Sequence, residues 1–212
     1  MMKAVIKRRQ QLEKEERIKR ILNAARRLFL KKGYLGATVR DIAFEAEMST
    51  GVIYFYFKGK DEIYGKICEE AFHVLLDLLI KSDSKEETPL ARLESLARAY
   101  IKFYNDFPEY YDILTFRDLG FKKVGLSEAV LKRLELLSSK ALSILNNAVM
   151  DGIERGYINY SGDSWELTFS LWSGIEGLIF IHKRKYLENF NLDINTLLDL
   201  QIKIISAVIN TK

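Results

Sequence analysis

Residues 38–60 read TVRDIAFEAEMSTGVIYFYFKGK, from Thr38 to Lys60, and this stretch decides the fold. Thr38 can cap a helix whose apolar positions, Val39, Ile42, Ala43 and Ala46, recur at helical spacing and turn inward. Met48 and Ser49 break that pattern. A second short helix follows from Thr50 to Phe57, with Val52, Ile53 and Phe57 toward a core and Thr50, Gly51, Tyr54 and Tyr56 outward. Two short helices about a tight turn outline a DNA reader. Such a unit lays its second helix in the major groove, where side chains meet base edges and free N–H groups meet phosphates.

Ser49 or Thr50 can cap the second helix or give a hydroxyl to a phosphate, and Gly51 permits close backbone approach. Tyr54 and Tyr56 can each offer a phenol to the backbone or a base methyl, and Lys60 can reach a phosphate as a point charge. Arg40 is the best candidate for pairing bidentately with guanine O6 and N7. Any one of these residues, taken singly, is as readily a structural one.

The register closely resembles the DNA-binding segment of TetR-type (tetracycline-repressor-like) transcriptional regulators, T-x-x-x-I-A-x-x-A-x-[VM]-S-x-G-x-[IL]-Y-x-[YH]-F-x-x-K-[DE]-x-[LI]. The matching residues are Thr38, Ile42, Ala43, Ala46, Met48, Ser49, Gly51, Ile53, Tyr54, Tyr56, Phe57, Lys60, Asp61 and Ile63. Upstream, Ile21, Ala24, Ala25, Phe29, Lys32 and Gly33 look like the family's first helix and its glycine stop. The specific resemblance spans roughly residues 18 to 66. It implies DNA contacts at Thr38, Arg40, Ser49, Thr50, Gly51, Tyr54, Tyr56 and Lys60. It also implies an all-α chain of about nine helices, with a three-helix helix-turn-helix domain over 1–62 and a larger helical ligand-binding and dimerisation domain over 63–212.

Charge divides with the motif. Residues 1–60 hold 15 Lys and Arg against 6 Asp and Glu, net +9, whereas residues 61–212 hold 18 against 23, net −5. A basic amino-terminal region suits phosphate neutralisation and salt-sensitive binding, and a solvated helix face accounts for part of it. Lys3 to Arg20, KAVIKRRQQLEKEERIKR, precedes the usual start of the family's domain. It is either a frayed helical extension or an arm reaching into an adjacent minor groove.

No apolar run approaches the ~20 residues needed to span a bilayer, and the basic amino end lacks a secretory apolar stretch, so a cytoplasmic protein is expected. Cys68 is the one cysteine and reads as core filler. Two distant histidines, without a cysteine or carboxylate cluster, argue against structural zinc. The chain lacks HExxH, GxSxG and a Walker loop; neither a cofactor nor catalysis is expected.

Beyond Lys60 the pattern predicts helices over about 61–80, 89–106, 108–119, 127–155 (closed by Gly156), 163–186 and 193–210. The last two are apolar on more than one side, which suggests a partner surface or a monomeric core. In TetR-type proteins the final two helices form a four-helix interface with a second copy. The resemblance thus implies a homodimer reading a palindromic operator.

Aromatic residues concentrate at Tyr100, Phe103, Tyr104, Phe107, Tyr110, Tyr111, Phe116 and Phe121, with Phe169 and Trp172 later. They can line an apolar ligand site or simply fill a core. Glu176 and His182 interrupt the apolar run LWSGIEGLIFIH, and Arg117 lies among aromatics. The candidate lining is Phe103, Tyr104, Phe107, Tyr111, Phe116, Arg117, Phe169, Trp172 and Glu176. FPEYYDILTFRD also loosely resembles a region of repressors that respond to fatty acyl-CoA or other hydrophobic compounds. Two readings remain: a repressor released by a hydrophobic small molecule, acyl-chain-like or drug-like, and a DNA-binding dimer of the same fold with no such ligand.

Overall fold

The structure is a computed structural model that describes residues 2–83, 88–115 and 126–209. Among these the regular elements are all helical. They are α1 (Met2–Gly36), α2 (Val39–Glu45), α3 (Thr50–Tyr56), α4 (Lys60–Ser82), α5 (Pro89–Asp106), α6 (Pro108–Leu114), α7 (Glu128–Glu154), α8 (Ser164–Lys183) and α9 (Ile194–Ile209). A 3-10 turn, Glu188–Phe190, precedes α9. The all-α architecture read from the sequence is therefore the observed one.

The chain divides into two compact units. The first comprises Met1–Phe72 and Glu109–Leu137, and the second His73–Pro108 and Ser138–Lys212. In the first, α1 buries Ile21, Ala24, Ala25, Leu28 and Phe29, spaced so that one face of the helix is apolar. Those side chains share a core with Ile42 of α2, Ile53 of α3, and Ile63, Tyr64 and Ile67 of α4. Gly33 breaks α1 at φ 72°, a left-handed conformation that glycine adopts without Cβ strain. The chain then returns to place Tyr34 against Phe29 and Tyr64, with ring centroids 5.7 and 5.0 Å apart. The Tyr64 hydroxyl donates to the Ile113 carbonyl oxygen at 3.0 Å, which ties α4 to α6. Gly65 lets α7 close in, for a Cβ there would stand 2.5 Å from Val130 Cγ1.

In the second unit, Thr88 caps α5 by accepting from the Ala91 N–H, and Pro89 occupies the first turn, where a missing N–H costs nothing. Arg92 is buried between two carboxylates: its Nη2 is 2.8 Å from Asp83 and its Nη1 3.0 Å from Asp151. The Thr168 hydroxyl donates to Asn146 Oδ1 at 3.0 Å, so this buried polar pair on α7 and α8 is satisfied. α8 packs against α5 and α9.

Some helix ends differ from the sequence expectation. α6 stops at Leu114 rather than near residue 119, and residues 116–125 lie outside the described chain. α8 stops at Lys183, short of Tyr186, because Lys185 turns left-handed at φ 60° and the Tyr186 N–H closes onto the Ile181 carbonyl.

Candidate nucleic-acid interface

Thr38 forms a capping box at the start of α2. Its hydroxyl accepts from the Asp41 N–H at 3.1 Å, and its own N–H donates to Asp41 Oδ2 at 2.9 Å. The Thr38 hydroxyl, which also donates to Asp41 Oδ2 at 2.8 Å, and then the Thr38 N–H hold the Asp41 carboxyl below its ordinary value, helped by Lys32 Nζ at 3.3 Å. The turn after α2 places Glu47 at φ 57°, unusual for a residue with a side chain. Arg20 braces it: Nη2 donates to the Ala46 carbonyl at 3.0 Å and to Glu47 Oε2 at 3.2 Å.

Ser49 then caps α3, its hydroxyl accepting from the Val52 N–H at 3.3 Å. Within α3, Ile53 is fully buried and Phe57 nearly so, and these two, four residues apart, fix the inner face. Thr50, Gly51 and Tyr54 are exposed. Val52 and Tyr56 are half-buried, so neither is as one-sided as their spacing predicted. Arg40 is exposed on α2, with no ion pair among the described residues.

Lys60 sits differently from the rest of the set. Its ammonium donates to the carbonyls of Tyr34 at 2.7 Å and Ala37 at 2.8 Å, and lies 4.3 Å over the Tyr34 ring centroid. Burial holds it below the ordinary lysine value. One N–H is left over for an anion.

Two aromatic residues escaped the sequence reading. Phe55 on α3 is 80% exposed and Phe44 on α2 is 86% exposed. For Phe55 the signal was present: with Ile53 and Phe57 inward, position 55 falls on the opposite face of the helix.

The candidate ligand residues scatter in character. Phe103 is buried, with Phe107 stacked on it at 6.2 Å. Tyr104 stands edge-on to His182 at 5.9 Å, and Glu176 accepts from the Tyr100 hydroxyl. Trp172 is half-buried, whereas Phe169 is 47% exposed and packs edge-on to Trp172. Tyr111 is buried in the first unit. Phe116 and Arg117 lie outside the described residues. A shallow cleft of about 190 Å³ between α5 and α9, lined by Arg98, Ile101, Lys102, Asn105, Asp106, Asn195 and Leu198, includes none of them.

Residues 21–67 match the family model described as "Bacterial regulatory proteins, tetR family". Over these residues the chain is similar to the tetR family. Among curated relatives, the HTH-type negative transcriptional regulator of the icaADBC biofilm operon from Staphylococcus epidermidis is 29% identical over 92 residues. That is 43% of this chain and 48% of the relative. The matched stretches span less than two thirds of the length of the first such relatives. Among solved structures, a tetR-family regulatory protein from Rhodococcus RHA1 superposes with a TM-score of 0.75 at 20% identity, covering 92% of this chain and 98% of the other. The regulator FadR from Bacillus subtilis, in complex with stearoyl-CoA, gives 0.69 at 17%, covering 88% and 96%. Likeness at these identities speaks to fold. Among the described residues no helix is long and apolar enough to cross a membrane.

Proposed function

We propose that this chain is a cytoplasmic transcriptional repressor, not an enzyme, that binds a palindromic operator as a homodimer and is released by a hydrophobic small molecule. The observation that carries it is the outward face of α3. Thr50, Gly51, Tyr54 and Phe55 are exposed on a seven-residue helix held by Ile53 and by the Ser49 cap. A helix so small, so firmly braced and so aromatic on its open side suits insertion into a groove. Thr38, Arg40, Ser49, Tyr56 and the remaining N–H of Lys60 flank it and complete the proposed contact set.

The dimer reading is supported by apolar surface on the last two helices. Phe169 on α8 and Leu200 and Ile204 on α9 are each about half exposed in the single chain, and Trp165 over a third. A two-fold pair supplies two recognition helices for two half-sites. The effector reading draws on the aromatic lining around Phe103, Tyr104, Phe107 and Trp172, and on the stearoyl-CoA held by the Bacillus subtilis neighbour. Residues 1–62 serve as the DNA-binding part and 63–212 as the sensing and pairing part, with Tyr64 to Ile80 of α4 as the lever. A ligand that favours one tilt of that lever shifts DNA affinity through linkage, typically by ~1–3 kcal/mol.

The deciding experiment is fluorescence anisotropy with a duplex covering the region upstream of the chain's own coding sequence. Tyr54→Ala is expected to weaken binding about tenfold or more while the melting temperature holds. Equal affinity of wild type and variant removes α3 from the interface.

A further inference from the structure

We propose that the stretch of α1 before Ile21 is a second DNA-binding element that lies along the phosphate backbone flanking each half-site. This rests on the DNA-binding reading of α3 and extends it. α1 has no non-helical residue before Gly33, so residues 2–20 form a continuous extension of roughly 28 Å. From Val5 to Arg17 every residue is exposed. Isolated helices of this length are marginal in water, so the segment gains from a partner.

The charges say which partner. Lys7, Lys14 and Arg17 are separated by seven and three residues, a spacing that sets them in one row. Four residues further, the same row reaches Ile21 and then Ala25 and Leu28, the face α1 buries against its own domain. The cationic row therefore faces the side on which α2 packs. Of the nearby carboxylates, Glu13, one turn before Arg17, is engaged by Arg9 at 3.0 Å, and Glu15 accepts from Gln11 at 2.7 Å. Among the described residues Lys7, Lys14 and Arg17 have no ion pair, and all three are exposed.

The root of the extension is fixed. Arg20 bonds the Ala46 carbonyl in the turn just before the Ser49 cap of α3. A duplex engaged by α3 thus continues past the row, whose span from Lys7 to Arg17 is about 15 Å, over which one strand presents about four phosphates. The opposite side of the extension carries exposed Val5 and Leu12, so a second copy of this chain is the competing occupant.

The test uses the full chain with Lys7→Gln, Lys14→Gln and Arg17→Gln combined, since glutamine keeps helix propensity while removing charge. Anisotropy across a salt series on the upstream duplex is expected to give at least tenfold weaker binding near 100 mM salt. The log–log salt slope should be shallower by about 2.7 per subunit. Hydroxyl-radical footprints should lose the flanking protection and keep the central one. A wild-type slope and footprint in the variant overturn this proposal alone, whereas wild-type protein that binds no duplex overturns it together with the reading of α3. If deleting residues 2–17 lowers the mass in sedimentation equilibrium with the slope unchanged, the extension pairs with a second copy and the proposal falls.

Discussion

Lys60 Nζ stands 2.7 Å from the carbonyl oxygen of Tyr34 and lies over the ring of the same residue. With the Ala37 carbonyl as second acceptor, the first residue of α4 satisfies backbone oxygens where the chain leaves α1. Lys60 is thus part of the scaffold as well as a candidate phosphate contact. Lys60→Met strands both carbonyls and is expected to cost ~1–3 kcal/mol, read as a lower urea midpoint. An unchanged midpoint refutes the bracing role.

Arg92 offers a contrasting case, because its partners are charged and it is only 4% exposed. Arg92→Leu leaves Asp83 without its cation and Asp151 with only Arg155, 3.1 Å away. The expected loss is about 3 kcal/mol or more in denaturant unfolding. Adding Asp83→Asn and Asp151→Asn should recover part of it, since the stranded charges are then gone.

Acid should loosen the helix-turn-helix through Asp41. Its folded value lies below its ordinary one, chiefly through the Thr38 hydroxyl. That contribution is present above the unfolded value of 3.8 and is lost as pH falls through the folded value. Thermal melts from pH 6 down to pH 3 should therefore fall less steeply for Asp41→Asn than for wild type. Parallel curves refute the assignment.

Pairing through α8 and α9 predicts that Phe169→Glu with Leu200→Glu yields monomers in sedimentation equilibrium. Both side chains are about half exposed in the single chain, so each protomer keeps its fold. Operator affinity should drop with the dimer, since two linked half-site contacts become independent ones. Dimers of undiminished mass place the interface elsewhere.

Much of this was legible from one dimension because the signals are local. Thr38 and Asp41 are three residues apart, Ile53 and Phe57 four, and capping and helical periodicity operate at those separations. The segment 38–60 therefore specified its two helices, its turn and its family resemblance. Lys60 reads from sequence as a free cation near a DNA-binding helix, yet its partners are carbonyls 26 and 23 residues upstream. Likewise Arg92 meets Asp151 59 residues away, and nothing in spacing singles that pair out. The aromatic run from Tyr100 could not be sorted into lining and core, because whether Phe103 is buried and Phe169 exposed depends on which helices cover them. Sequence alone determined the helices, the turn and the charge asymmetry, which are set by neighbours along the chain. Tertiary structure alone decided which cations are spent inside the protein and which row of α1 faces the side where α2 packs, because burial and pairing depend on distant segments brought together.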